Sequence, residues 1–209
     1  MKLSSSSFAD NKPIPAECAF CVPDARTHVT LGSNRNPDFS WSELPAGTKS
    51  LALICHDRDV PGKADDVNKE GRSIPASLPR IDFFHWLLID LAADAAPIRK
   101  GEFSDGVTAR GKKGPDAPRG ARQGVNDYTA WFGGDKDMGG SYFGYDGPCP
   151  PWNDTVVHHY VFTLYALDVA RLPVEGAFKG PDVLAALRGH VLAQASLTGT
   201  YSLNPAVKA

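Results

Sequence analysis

The chain has 209 residues, of which 42% are hydrophobic and 22% charged, and its formal net charge is −2. This composition is typical of a globular domain and excludes the strongly basic surface that nucleic-acid binding requires. No stretch approaches the roughly 20 apolar residues of a membrane-spanning helix, so we expect at most peripheral contact with a membrane.

The cysteines predict a reducing compartment. Cys18, Cys21, Cys55 and Cys149 do not form a pattern that indicates a disulfide scaffold. Cys18 and Cys21 have CxxC spacing, but no second pair of metal ligands lies nearby, so we interpret them as ordinary half-buried thiols. The N-terminus also lacks the apolar run of a signal peptide, and we therefore expect a cytoplasmic protein.

Extended segments dominate the chain, and its 20 glycines and 17 prolines are spread between them. Only one segment has clear helical periodicity, so the sequence predicts a mainly β fold. No internal repeat and no linker divides the chain, which indicates one domain over residues 1–209. In chain order, the predicted strands are 28–31, 38–41, 50–56, 83–91, 158–168 and 196–203.

The amphipathic helix is predicted over residues 180–195. Its apolar positions recur at helical spacing and are Val183, Leu184, Leu187, Val191 and Leu192. Two irregular segments, 62–80 and 100–146, are long for loops within a domain, and such loops are usually functional or mobile. Within the second, Trp131 and Phe132 could line a ligand pocket, but we favour their interpretation as anchors of the loop.

The stretch 147–168 joins a stiff loop, Gly147–Pro151, to the strongest predicted strand. Successive strand side chains point to opposite faces, so His158 and Tyr160 share one face and His159 lies on the other. A histidine and a tyrosine beside a rigid loop predict the wall of a small polar pocket.

Polar side chains mark the ends of three predicted strands. Asp57 follows the strand 50–56, His85 opens the strand 83–91, and His158 opens the third. Singly, such an aspartate usually caps a turn, and such a histidine is usually a hydrogen-bonded core residue. Together they indicate a shared site, since ionisable groups beside apolar runs need partners or a ligand.

The residues around these strand ends carry a specific resemblance. The stretch His56–Pro61, then Phe84–Trp86, then Gly147–Pro151 leading to His158–Tyr160, resembles the phosphatidylethanolamine-binding protein family, and within it the bacterial Raf-kinase-inhibitor-like branch. Asn36–Trp41 and the ending Gly189–Tyr201 support the resemblance, which spans most of the chain in the family's order.

The resemblance implies two antiparallel β-sheets, a few peripheral helices including one near the C-terminus, and a pocket for phosphate-like groups such as phospholipid head groups. It implies no catalytic residue, no metal and no cofactor. It leaves room for regulation of a protein partner, such as a kinase or a protease, and for a homodimer. Carried over by position, the ligand-binding residues are Asp57, His85, Gly147, Pro150, His158 and Tyr160.

Each of these residue types suits such a pocket. His85 and His158 can donate to phosphate oxygens, most strongly when protonated. Tyr160 adds a hydroxyl donor, and Gly147 would let the backbone approach the ligand. Asp57 would orient a histidine and favour its charged form, or receive an ammonium group.

Two departures from the family pattern concern the ligand. Arg58 replaces the proline of the usual Asp-Pro-Asp-Ala-Pro motif, and it would either contact phosphate or face solvent. The segments 62–80 and 100–146 are longer than in compact family members, so they could cover or reshape the mouth of the pocket.

Two other functions remain open at this point. One is a metal-dependent hydrolase, for which the candidate ligands are His56, Asp57, Asp59, His85, His158 and His159. No HExxH motif is present, and the opposite faces of His158 and His159 disfavour a shared ion. The second is a pure protein-interaction inhibitor. A Ser-His-Asp hydrolase is disfavoured because the chain has no GxSxG motif.

Overall fold

The computed structural model describes residues 1–208, and its secondary structure is mainly β, as predicted. The helices are two short 3₁₀ turns, Ala16–Cys18 and Pro118–Gly120, and the α-helices α1 (Tyr128–Trp131) and α2 (Gly180–Ala186). The strands are β1 (Lys2–Ser4), β2 (Lys12–Pro13), β3 (Cys21–Asp24), β4 (His28–Leu31), β5 (Ser40–Ser42), β6 (Ser50–Pro61), β7 (Arg80–Ala92), β8 (Arg122–Gln123), β9 (His158–Leu167) and β10 (Val191–Tyr201).

The strands form one six-stranded sheet, in the order β2-β10-β9-β6-β7-β8, and two small sheets that pair β1 with β5 and β3 with β4. All pairings are antiparallel except that of β2 with β10. Strand β6 lies between β7 and β9 and pairs with both. Because β6 is antiparallel to both neighbours, its C-terminal end lies beside the N-terminal ends of β7 and β9.

The apolar run at the start of β6 is covered on both faces, as its sequence predicts. Leu53 and Cys55 pack into the larger core with Trp86 and Phe162. The alternate residues Ala52 and Ile54 belong to the second cluster, and α2 covers this face of the sheet. The members of that cluster on or near α2 are Phe178, Val183 and Leu187.

The helix predicted over residues 180–195 is wrong in its second half. Helix α2 ends at Ala186, Gly189 has a left-handed φ of 82°, and β10 begins at Val191. Residues 191–201 pair with β9 along their whole length. The strand is therefore more stable than a helix here, because a helix would leave its apolar face exposed and gain little from tertiary packing. The last strand accordingly begins five residues earlier than predicted.

The interpretation of the cysteines is also wrong for two of them. Cys21 and Cys149 form a disulfide across 128 residues, while Cys18 and Cys55 are free and buried. The backbone brings the pair together, because the N–H groups of Phe20 and Cys21 both donate to the carbonyl of Pro148. Sequence spacing could not reveal this long-range approach. Within residues 1–208, neither helix has the length and apolar character needed to cross a bilayer.

We expect the Cys21→Ser/Cys149→Ser double variant to lose about 2–4 kcal/mol of unfolding free energy, since a cross-link over a long loop restricts the unfolded chain. Urea unfolding measures this difference. Reductant should lower the midpoint of the natural protein and leave that of the double variant unchanged. Equal midpoints for the oxidised protein and the variant would contradict the prediction.

Candidate functional site

A cavity of about 260 Å³ opens where β6, β7 and β9 end. The register of the sheet brings the predicted residues together, because Asp57 of β6 pairs with Phe83 of β7 and with Tyr160 of β9. Five of the six predicted residues line the cavity, namely Asp57, His85, Pro150, His158 and Tyr160. Gly147 does not line it.

Gly147 serves the packing behind the cavity. A Cβ atom at this position would overlap the carbonyl oxygen of Cys18, so only glycine fits. Its N–H donates to Asn34 Oδ1 at 2.8 Å, and its carbonyl accepts from the Tyr128 hydroxyl at 2.8 Å. The glycine therefore allows a close backbone contact within the protein, where a close contact with the ligand had been expected.

The walls of the cavity are largely aromatic and come from segments that the sequence left irregular. Phe20 stacks on Tyr128 at 4.6 Å between ring centroids, and Tyr128 stacks on Phe132 at 5.6 Å. Trp131 and Phe132 both line the cavity, so our interpretation of them as loop anchors alone is wrong. The segment 62–80 adds lining residues at Ala64, Val67 and Asn68. Both long segments thus shape the cavity.

His158 lies between two buried carboxylates. Its Nδ1 is 2.6 Å from Asp57 Oδ2, and its Nε2 is 3.1 Å from Asp154 Oδ2. Carboxylates only accept hydrogen bonds, so both ring nitrogens must carry protons and the ring is an imidazolium. Burial opposes this charge, but the charge of Asp57 and hydrogen bonds to both aspartates raise the pKa of His158 to about 9. Both of its donors are thus already used within the protein.

Arg80 completes this buried chain of charges. Its guanidinium binds Asp154 in a bidentate manner, through the Nη1–Oδ2 pair at 2.5 Å and the Nη2–Oδ1 pair at 3.0 Å. Burial raises the pKa of Asp154, yet the hydrogen bonds from His158 and Arg80 outweigh it and leave the pKa below its usual value. Two cations and two anions therefore balance. Sequence reasoning missed Arg80 and Asp154, and the only signal was the position of Asp154 four residues before His158.

His85 is the second histidine of the site and is neutral. Its Nδ1 donates to the backbone carbonyl of Asp146 at 2.7 Å, which leaves Nε2 as a lone-pair acceptor. Burial lowers the pKa of His85 to about 4, although the charge of Asp57 acts in the opposite direction. Within residues 1–208, Nε2 has no hydrogen-bond partner.

Asp146 holds His85 in this orientation and is itself held by three side chains. Its carboxylate accepts from Asn34 at 2.7 Å, Asn126 at 2.8 Å and Lys112 at 3.0 Å. These contacts keep the backbone carbonyl of Asp146 in front of the imidazole, and so they determine which nitrogen of His85 remains available to the cavity.

The hydroxyl of Tyr160 is an unpaired donor that lines the cavity. It is buried and has no hydrogen-bond partner within the described residues, whereas buried polar groups are nearly always paired. Burial and the nearby Asp57 carboxylate, which lies outside hydrogen-bonding geometry but still favours the protonated hydroxyl, raise the pKa of Tyr160 well above its usual value, so the hydroxyl keeps its proton. Its ring meets that of His85 edge to face, with 5.1 Å between centroids.

The remaining polar candidates lie outside the cavity. His159 contacts Asp59 at 2.8 Å on the opposite face of β9, as strand alternation predicts. Arg58 is exposed and does not line the cavity. In the part of the chain that the structure describes, no three His, Cys, Asp or Glu side chains are grouped so that they could hold a metal ion. The residues required by the hydrolase hypothesis are therefore not assembled around one ion.

The two site histidines predict a stability maximum near pH 6.5. His158 has a raised pKa, so its contribution is complete below about 6.5 and is lost as the pH rises towards 9. His85 has a lowered pKa, so between about pH 6.5 and 4 it binds a proton in the unfolded chain but not in the folded chain. The stability of the fold therefore decreases as the pH falls through this range. Each limb should amount to about 3 kcal/mol in urea unfolding.

The variant His158→Gln should remove the alkaline limb and cost about 3–5 kcal/mol at pH 6.5, because it leaves buried carboxylates without their cation. His159→Gln is the matched control, since it changes the neighbouring, half-buried histidine and should retain the alkaline limb. An unchanged alkaline limb in His158→Gln would contradict the assignment.

Comparison with known proteins agrees with this architecture. The family model for phosphatidylethanolamine-binding protein matches residues 4–202. A UPF0098 protein of Methanothermobacter thermautotrophicus is 32% identical over 204 residues, which cover 96% of this chain and 98% of the relative. The UPF0098 protein YbhB of Escherichia coli is 29% identical over 202 residues, covering 97% of this chain and all of the relative.

A solved structure of similar fold is that of a phosphatidylethanolamine-binding protein homologue from Chlamydia trachomatis. It has a TM-score of 0.64 and 27% identity, and the match covers 96% of each chain. The family match over nearly the whole length, the relatives of similar size and the shared fold agree with one another. The chain belongs to the phosphatidylethanolamine-binding protein family.

Proposed function

We propose that the protein binds, without transforming it, a small ligand that carries a phosphomonoester group. We call the cavity-lining side chains at the ends of β6, β7 and β9 the floor of the cavity. The observation that carries this proposal is that two groups of this floor have no hydrogen-bond partner within the described residues. Tyr160 offers a buried donor and His85 Nε2 offers an acceptor, with 5.1 Å between the ring centroids. Such a pair suits a group that has both an oxygen acceptor and an O–H donor.

The charge balance of the floor selects the protonation state of the ligand. Arg80, Asp154, His158 and Asp57 sum to zero, and His85 is neutral, so the floor has no free cation for a phosphate dianion. A phosphomonoester monoanion fits, because its P–OH can donate to His85 while another oxygen accepts from Tyr160. A dianion would need a proton on His85. In both cases the complex holds one proton more than the free phosphate dianion and the protein with neutral His85 hold together.

The aromatic walls favour a phosphomonoester that carries an apolar substituent. Binding without catalysis is favoured by the state of the histidines. Both nitrogens of His158 are already occupied, and the cavity lining that the structure describes contains no serine, threonine, lysine or free cysteine that could act as a nucleophile.

Regulation of a protein partner is the second candidate function. It is favoured by two apolar side chains at the opening of the cavity, Leu31 and Trp131, which are 55% and 49% exposed. Exposed apolar residues around a pocket are common at protein contacts. A kinase or a protease would fit this role as the resemblance implies, with ligand occupancy altering the surface offered to it.

The cystine bears on where this function is performed. Disulfides persist in oxidising compartments and are rare in the cytosol. The pairing of Cys21 with Cys149 therefore favours an oxidising compartment over the cytoplasm expected from the sequence. Determining the thiol content of the protein as isolated from its own cells under alkylating conditions tests this.

Tyr160→Phe should weaken binding of phosphoethanolamine about 10- to 100-fold, since it removes a hydrogen bond to a charged group. Isothermal titration calorimetry measures the dissociation constant. The same variant should leave the unfolding free energy equal or slightly higher, because the hydroxyl has no partner within the protein. Tyr165→Phe is the matched control on the other face of β9. Equal dissociation constants for Tyr160→Phe and the natural protein would contradict the proposal.

The dissociation constant should rise about tenfold per pH unit above pH 6, where the free phosphomonoester loses its second proton. Between pH 6 and pH 4 it should stay nearly constant, since the free ligand is then already a monoanion and the pKa of His85 is about 4. Calorimetry in buffers of different ionisation enthalpy should report uptake of one proton at pH 7.5. Binding without proton uptake would contradict the assigned protonation state.

A further inference from the structure

The disulfide lies in the wall of the cavity. Cys21 and Cys149 both line it, and Cys149 is only half-buried while Cys21 is buried. A small molecule in the cavity therefore lies against the half-buried Cys149 end of the disulfide. Structural disulfides are usually packed in a core, whereas this one borders the space that we assign to the ligand.

The disulfide also joins the segments that form the mouth of the cavity, which we define by its exposed lining residues Leu31, Ala64, Asn68 and Trp131. Cys21 begins the β3–β4 hairpin that ends at Leu31. Cys149 precedes Pro150 and Pro151, which also line the cavity. The disulfide is thus a covalent link between two walls of the same opening.

The segment 62–80 is tied to the same two walls. His28 of the hairpin stacks on Trp152, with 3.8 Å between ring centroids, and its Nε2 is 2.5 Å from Glu70 Oε1. Asn68 accepts from the backbone N–H of Trp152 at 3.0 Å. Opening of the disulfide would therefore affect the positions of three segments around the mouth, namely the β3–β4 hairpin, the segment that follows Cys149 and the segment 62–80.

The other two cysteines are unsuited to thiol exchange. Cys18 and Cys55 are both buried. Burial raises the pKa of Cys18 to about 12 and that of Cys55 well above its usual value, so neither forms a thiolate readily. Exchange at this site must therefore begin with a thiol from outside the described chain.

We propose that Cys21–Cys149 is a redox-active disulfide which a dithiol reductant opens from within the ligand cavity, so that reductant and ligand exclude each other. A thiolate of the reductant attacks Cys149 Sγ and forms a mixed disulfide, while Cys21 leaves as a thiolate and takes up a proton. The second thiol of the reductant then displaces Cys149. The dithiol loses two electrons and becomes a disulfide, and the protein gains two thiols.

The coupling works in both directions. A ligand that fills the cavity covers Cys149 and slows its reduction. Conversely, the opened protein binds ligand less tightly, because the hairpin and the segment 147–151 are no longer held together by a covalent bond. Linkage requires that any difference in ligand affinity between the two redox states appears as an equal difference in the stability of the disulfide. This coupling rests on the proposed ligand function, whereas access of the reductant does not.

The first test treats the folded natural protein with dithiothreitol, stops the reaction with an alkylating reagent and measures labelling of each cysteine by mass spectrometry. We expect Cys21 and Cys149 to become labelled together, at a rate proportional to the dithiothreitol concentration, while Cys18 and Cys55 stay unlabelled. Labelling of all four cysteines at one common rate would show that opening requires unfolding, and it would overturn the proposal.

A pair of variants tests the route of access. Leu31→Trp narrows the mouth and should slow reduction about tenfold, since exchange rates depend on access to the attacked sulfur. Leu192→Trp introduces the same change at an exposed leucine of β10 that does not line the cavity, and it should leave the rate unchanged. Unlabelled Cys55 in both variants verifies that they remain folded. Equal rates for the two would exclude entry through the mouth.

The last arm separates this inference from the proposed function. Saturating phosphoethanolamine should slow the reduction of the natural protein at least about tenfold, because a bound ligand blocks the attacked sulfur. If phosphoethanolamine binds in calorimetry and the rate is unchanged, the coupling is wrong and the proposed function stands. If it does not bind, the proposed function fails, and the variants alone decide access of the reductant.

Discussion

The buried imidazolium of His158 between Asp57 and Asp154 is the interaction on which the site depends. It joins the end of β6 to the start of β9 and to the segment before it, and Arg80 extends the chain of charges to β7. Each charge in the chain is acceptable in the interior because the next one neutralises it. Loss of any member would leave an uncompensated charge beside the cavity, so the floor of the cavity behaves as one electrostatic unit.

This arrangement determines which groups remain for a ligand. His158 is charged but has no free donor, and Asp57 is occupied by His158 and by the N–H of Asp59 at 2.8 Å. In the proposed function, recognition therefore falls to two neutral groups, the hydroxyl of Tyr160 and Nε2 of His85. A family pocket that the residue types alone present as cationic is electrically balanced in this chain. In the proposed complex, the proton on the ligand therefore matters as much as its charge.

The walls follow a different principle from the floor. The floor is built from the ends of three paired strands, and its geometry is set by the register of the sheet. The walls come from the β3–β4 hairpin, from α1 and from the segments 62–80 and 147–151, which lie almost wholly outside the six-stranded sheet. Side-chain stacking, the hydrogen bonds of Asn68 and Asn153, and the disulfide hold these segments in place.

The amino-acid sequence alone was sufficient for the mainly β fold, the family, five cavity-lining residues and the opposite faces of His158 and His159. Strand alternation and local motifs depend only on residues that are near one another in the sequence. They can therefore be recognised without knowledge of how the strands pack. The tertiary structure decided the rest. Arg80 and Cys21 reach Asp154 and Cys149 across 74 and 128 residues, and the role of Gly147 depends on the distant carbonyl of Cys18.

The second half of the predicted helix failed for a related reason. Residues 187–195 have helical periodicity, but residues 191–201 can pair with β9 along its whole length. A local sequence pattern contains no information about that distant strand. The charges of the two histidines likewise depend on distant partners. Sequence identifies a histidine, whereas burial beside a carbonyl makes His85 neutral, and contact with two carboxylates makes His158 a cation. Ionisation depends on the surrounding field, and only the folded chain supplies that field.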